Sequence, residues 1–130
     1  MKYLLDSNVL IMILRGRSTP LAAKVAGMPL NDVAVSSLVA HELYYGAYRS
    51  HHPGSVEGID ALTFPVLPFE RQDARESGRV RVDLEAAGKT IGLIDILIAG
   101  QALARGLVLV THNVGEFARV PGLKVEDWQV

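Results

Sequence analysis

Apolar positions in this chain gather into short runs separated by helix-length stretches of mixed character. Residues 2–5, 32–35, 64–67 and 107–110 are short and mostly apolar, with a weaker fifth run at 124–126. They show little polar alternation, which predicts strands covered on both faces. Between them, apolar residues recur at helical spacing over 8–15, 21–26, 38–49, 71–87 and 94–105. Gly16, Gly27, Gly88 and Gly106 close four of these segments, and the fifth, 38–49, stops before His51-His52-Pro53-Gly54. Residues 51–58 read as the most loop-like stretch. Strands that recur only after helix-length insertions cannot pair as tight hairpins, so the pattern predicts an α/β fold with a parallel sheet. At 130 residues, one domain spanning 1–130 is expected.

Composition narrows the possible chemistry. Apolar residues make up 49% of the chain, enough for a well-filled core. Thirteen basic against fourteen acidic side chains leave a net charge of −1, so attraction to nucleic acid has to come from a local patch. There is no cysteine, which excludes disulfides and thiolate zinc sites and leaves oxygen or imidazole as the only metal donors. No apolar run approaches the roughly 20 residues of a membrane helix. No small-residue cleavage signal follows the N-terminal apolar runs, so a soluble, cytoplasmic protein with no membrane partner is expected.

In open parallel α/β sheets the functional crevice lies beyond the carboxyl ends of the strands. Three acidic residues map there. Asp6 directly follows the first predicted strand. Glu42 lies early in the helix after the second strand and its candidate caps Ser36 and Ser37, and helical side chains lean back toward the N-terminus. Asp95 heads the apolar segment Ile94-Asp95-Ile96-Leu97-Ile98, with no Lys or Arg between Lys89 and Arg105 to pair with it. Each has a plain structural alternative: Asp6 as a turn or cap, Glu42 as a solvated helix charge, Asp95 as an N-cap. If they converge, their mutual repulsion calls for a hard divalent cation such as Mg²⁺ or Mn²⁺. A metal in such a site suits phosphodiester hydrolysis.

Taken together, Leu4-Leu5-Asp6-Ser7-Asn8, Val35-Ser36-Ser37 with His41-Glu42-Leu43 and Tyr45-Gly46, Ile91-Gly92 through Asp95-Ile96-Leu97-Ile98-Ala99, and Leu109-Val110-Thr111-His112-Asn113 with Glu116-Phe117 and Val120-Pro121-Gly122-Leu123 resemble the PIN-domain family. The resemblance is to the VapC-type toxins of bacterial toxin–antitoxin pairs and spans nearly the whole chain. It implies a three-layer sandwich with a central parallel sheet of order 3-2-1-4-5, a homodimer within a higher toxin–antitoxin assembly, and Mg²⁺-dependent endoribonuclease activity on transfer or ribosomal RNA loops. It also implies neutralisation by a cognate antitoxin, and it carries the metal-site role onto Asp6, Glu42 and Asp95. Many PIN domains place a fourth acidic residue just after the fourth strand, where this chain has Thr111-His112-Asn113; the fourth carboxylate is either missing or supplied by Glu116. Asn113 and Glu116 also fit a capping box, so Glu116 has three readings: cap, partner of a metal-bound water, or direct ligand.

Other signals are weaker. Gly88-Lys89-Thr90 resembles the end of a phosphate-binding loop, but Asp83 stands where its first glycine belongs. His41-Glu42 would need a histidine at Tyr45 to form a zinc-protease helix. An adjacent pair such as His51-His52 lacks metal-ligand spacing, and no Gly-x-Ser-x-Gly elbow exists. Arg71, Arg75 and Arg79 interleave with acids and read as a salt-bridged face, leaving Arg15, Arg17, Lys24 and Arg49 as alternative phosphate contacts. An acid-pocket phosphatase lacks its second aspartate after Asp6, and a non-catalytic interaction module would keep the carboxylates only as caps.

Overall fold

The computed structural model describes residues 1–16, 19–50 and 53–129. The five apolar runs become β1 (Tyr3–Leu5), β2 (Val33–Ser36), β3 (Val66–Leu67), β4 (Val108–Val110) and β5 (Val125–Glu126). All neighbours pair in parallel, in the order β3-β2-β1-β4-β5. Leu5 stands opposite Val35 on one side and Val110 on the other, so β1 is the central strand. Leu4, Leu5, Ala34, Leu109 and Val110 have no exposed surface, because helices cover the sheet on both faces.

The helices are α1 (Ser7–Leu14), α2 (Thr19–Ala26), α3 (Ser37–Arg49), α4 (Pro53–Asp60), α5 (Arg71–Ala86), α6 (Leu93–Arg105) and the short α7 (Val114–Phe117). Helix α4 corrects the loop expected over 51–58, of which His51 and His52 lie outside the described residues. Pro53 occupies the first helical position, where its missing N–H costs no hydrogen bond and its fixed φ suits the helix. Ile59 is then buried, and Tyr44 of α3 hydrogen-bonds to Asp60.

Helices α5 and α6 pack closely where Gly100 meets Ser77. A Cβ on Gly100 would stand 2.5 Å from the Ser77 backbone, so only glycine permits this crossing. At its far end α6 stops on Gly106, whose left-handed conformation (φ 64°, ψ 31°) turns the chain into β4. Arg105 anchors that end. Its guanidinium reaches Asp73 Oδ1 at 3.1 Å and Oδ2 at 2.9 Å, Glu70 Oε1 at 3.0 Å and the Pro68 carbonyl at 2.9 Å. Asp73 has no exposed surface, and its Oδ2 also accepts from the Glu70 amide at 2.8 Å. Among the described residues, no helix is long and apolar enough to cross a membrane.

Candidate active site

The end of β1 delivers Asp6 as the N-cap of α1, with only 3% of the residue exposed. Its Oδ1 accepts from the Ser7 amide at 2.7 Å, so the capping role is real. Its Oδ2 is held from another part of the chain, by Thr111 Oγ1 at 2.8 Å. That contact follows from register. Leu5 lies opposite Val110, and the Asp6 amide donates to the Val110 carbonyl at 3.0 Å, so the residues that follow β1 and β4 emerge side by side.

Ser36, fully buried, caps α3 by accepting from the Leu38 amide at 3.1 Å. Glu42 follows on the second turn, half-buried. It lies in the wall of an open groove of about 680 Å³ between α1, α3 and α4, which Arg15 also lines.

Asp95 is the third residue of α6, whose N-cap is Gly92, so the N-cap reading of Asp95 is overturned. Its carboxyl group is pushed up to about 6 by burial, and then by the negative charges of Asp6, Glu116 and Glu42, in that order. Among the described residues, no hydrogen bond and no cation offsets that push. Asp95 thus lies within electrostatic reach of the other three sequence-derived carboxyl groups.

Glu116 is the third residue of α7, after Asn113, but the capping box, one of its three readings, is not formed. The Asn113 side chain makes no capping bond, and the Asn113 amide that Glu116 would have satisfied donates instead to Thr111 Oγ1 at 3.0 Å. Glu116 remains half-buried and acts on Asp95. Thr111 was part of the sequence pattern without a role of its own. A hydroxyl placed directly after a buried strand, two residues before a helix cap, is the local signal for it.

The donor set is hard oxygen, without thiolate and with surplus negative charge, which fits Mg²⁺ or Mn²⁺. Among the described residues, however, no three His, Asp or Glu side chains stand ready to hold a metal as they are placed. Glu42 and Glu116 sit on side chains with several rotatable bonds. Asp6, pinned at both oxygens, is therefore the most constrained of the four carboxylates.

The alternative phosphate contacts separate. Arg79 is bonded to Glu76 at 2.8 Å and Asp83 at 3.1 Å, whereas Arg71 and Arg75 pair with no described acid; the salt-bridged face is thus only partly realised. Lys24 lies over the Trp128 ring at 5.9 Å, Arg49 is exposed at the end of α3, and Arg17 lies outside the described residues. Arg15, sharing the groove with Glu42, is the candidate cation placed beside that carboxylate.

A family model described as "PIN domain" matches residues 3–123. The chain is 35% identical to the tRNA(fMet)-specific endonuclease VapC of Salmonella typhimurium, and 34% identical to Ribonuclease VapC2 of Haemophilus influenzae, with 98% of each chain covered in both comparisons. It is similar in structure to VapBC2 from Rickettsia felis bound to a DNA fragment from its promoter, with a TM-score of 0.92, 30% identity and 98% and 99% of the two chains covered. DNA-bound VapBC from Salmonella typhimurium matches with a TM-score of 0.91 at 34% identity, covering 98% of each chain.

Proposed function

The chain belongs to the PIN-domain family, and from that premise we propose that it is an endoribonuclease toxin, neutralised by a cognate antitoxin and dependent on Mg²⁺. The observation that carries the metal dependence is the half-buried Asp95, raised to about 6 by three further carboxylates and relieved by no described donor or cation. Asp6, Glu42 and Asp95 would hold the ion, with Mn²⁺ as a substitute, and Glu116 would act through a metal-bound water. When bound, the ion supplies charge stabilisation at a phosphate oxygen and a more acidic water.

The chain's own residues do the rest. Ser7 and Thr111 hold both oxygens of Asp6, so its orientation costs nothing when substrate arrives. Glu42 and Glu116 close in from α3 and α7. Arg15 offers a cation to a phosphate lying in the groove beside Glu42. The substrate we propose is structured RNA cut at an exposed loop, where bases are splayed and accessible. The name of the Salmonella relative makes transfer RNA the first substrate to test.

The antitoxin would neutralise the site by inserting a basic side chain, arginine by preference, because a planar guanidinium matches paired carboxylates. A homodimer within a larger toxin–antitoxin assembly completes the proposal. The test is end-mapping of cellular RNA after brief induction without antitoxin, repeated with Asp95→Asn and, on purified protein, with the metal chelated. Defined new ends that disappear in both controls are expected. Cleavage that persists in either would overturn the metal-dependent reading.

A further inference from the structure

Gly92 is a glycine that its own backbone does not need. It caps α6 with φ −57° and ψ 147°, a conformation open to any residue. Ser, Asn or Asp would cap as well or slightly better. Crowding by the rest of the fold does not demand it either, because residue 92 is exposed. Among the described residues beyond its chain neighbours, a Cβ built there meets only the Asp95 carboxylate within 4 Å, with Oδ2 at 3.3 Å and Cγ at 3.9 Å.

We propose that Gly92 is a positioning residue: its missing side chain leaves the space in which the Asp95 carboxylate lies back over the start of α6. An aspartate at the third helical position leans toward the N-cap, so residue 92 sets how far it can fold back. Any side chain at 92 pushes Oδ2 away by a few tenths of an ångström. That displacement is large on the scale of a metal site, where ligand distances hold to about ±0.2 Å and Mg²⁺ demands near-ideal octahedral geometry. The consequence for metal affinity rests on the Mg²⁺ reading above; the position of the carboxylate does not.

The test compares wild type, Gly92→Ala, Asp95→Asn and the double variant as full chains, by Mg²⁺ titration calorimetry and thermal unfolding. A metal-free crystal structure of Gly92→Ala is compared with one of the wild type. Gly92→Ala is expected to unfold like wild type and to bind Mg²⁺ about tenfold more weakly. It should add no further loss in the Asp95→Asn background, and its crystal structure should show the carboxylate moved off residue 92. Wild-type affinity, an equal additional loss in the double variant, an unmoved carboxylate or a lost unfolding transition would each overturn the proposal. If wild type itself shows no Mg²⁺ binding that Asp95→Asn removes, the metal reading of the site falls, and the crystallographic displacement alone decides the role of Gly92.

Discussion

Thr111 Oγ1 donates to Asp6 Oδ2 at 2.8 Å and accepts from the Asn113 amide at 3.0 Å, joining the carboxylate after β1 to the turn that starts α7. Both residues are buried, so the bond forms where water does not compete. One hydroxyl therefore supports both the Asp6 carboxylate and the N-cap of α7, the helix that carries Glu116.

Removing that hydroxyl should affect function and stability together. Thr111→Val keeps the shape and is expected to cost about 1 to 3 kcal/mol by leaving Asp6 Oδ2 and the Asn113 amide unpaired. Cleavage should fall about 10- to 100-fold, as for other groups that orient a metal ligand. Thr111→Ser should restore most of both. Denaturant unfolding and single-turnover rates measure this, and a serine variant as impaired as valine would count against the hydroxyl.

Asp95 makes the metal-free protein sensitive to pH in a defined direction. Between its unfolded value near 4 and its folded value of about 6, the native chain binds more protons than the unfolded chain, so stability falls as pH rises across that window. Asp95→Asn removes the effect. With chelator present, the variant should be the more stable above pH 6 and match wild type below pH 4, while added Mg²⁺ at pH 7 should stabilise wild type more than the variant. Melting temperatures against pH check this, and a variant less stable than wild type at pH 7 in chelator would contradict it.

Glu116→Gln separates a role in the site from a role in the helix. The Asn113 amide is already satisfied by Thr111, so the substitution should leave the unfolding free energy within roughly 0.5 kcal/mol of wild type. Cleavage at limiting Mg²⁺ should fall about 10- to 100-fold and recover partly at high Mg²⁺, as expected for a residue that binds through a water. A normal rate at every Mg²⁺ concentration would remove Glu116 from the site. A loss as complete as that of Asp95→Asn would make it a direct ligand.

Arg105 is expected to matter for stability alone. Arg105→Ala leaves the fully buried Asp73 without its cation, a situation that typically costs about 3 to 5 kcal/mol. Adding Asp73→Asn should recover part of that loss, because an amide carries no stranded charge. Urea titrations of the single and double variants measure the coupling, and strictly additive losses would mean the pair is not linked.

Much of the molecule was legible along the chain. The order of apolar runs and helical spacings identified five strands and the parallel sheet, because period and run length are local properties set by what each segment must bury. Asp6 and Asp95 stood out for the same reason: one follows a buried strand, and the other interrupts an apolar helix start that has no nearby cation. Glu42 was placed by the helix that Ser36 begins. Helix α4 was missed because Pro and Gly read as breakers, whereas Pro53 opens the helix and the burial of Ile59 and the bond from Tyr44 to Asp60 hold it in place.

What the sequence by itself determined was therefore the set of elements, their order and the residues at their ends. Tertiary structure decided which of those ends meet. Thr111 lies 105 positions from Asp6 and reaches it only because β4 pairs with β1 so that Leu5 faces Val110. Within the turn itself the Asn113 amide donates to Thr111, two residues back, which frees Glu116 from capping. Asp73 and Arg105, 32 positions apart, meet only after α5 has packed along α6, which needs Gly100 against Ser77. Contacts of this kind depend on strand register and helix crossing, and those are settled by the fit of the whole core, which no local period contains.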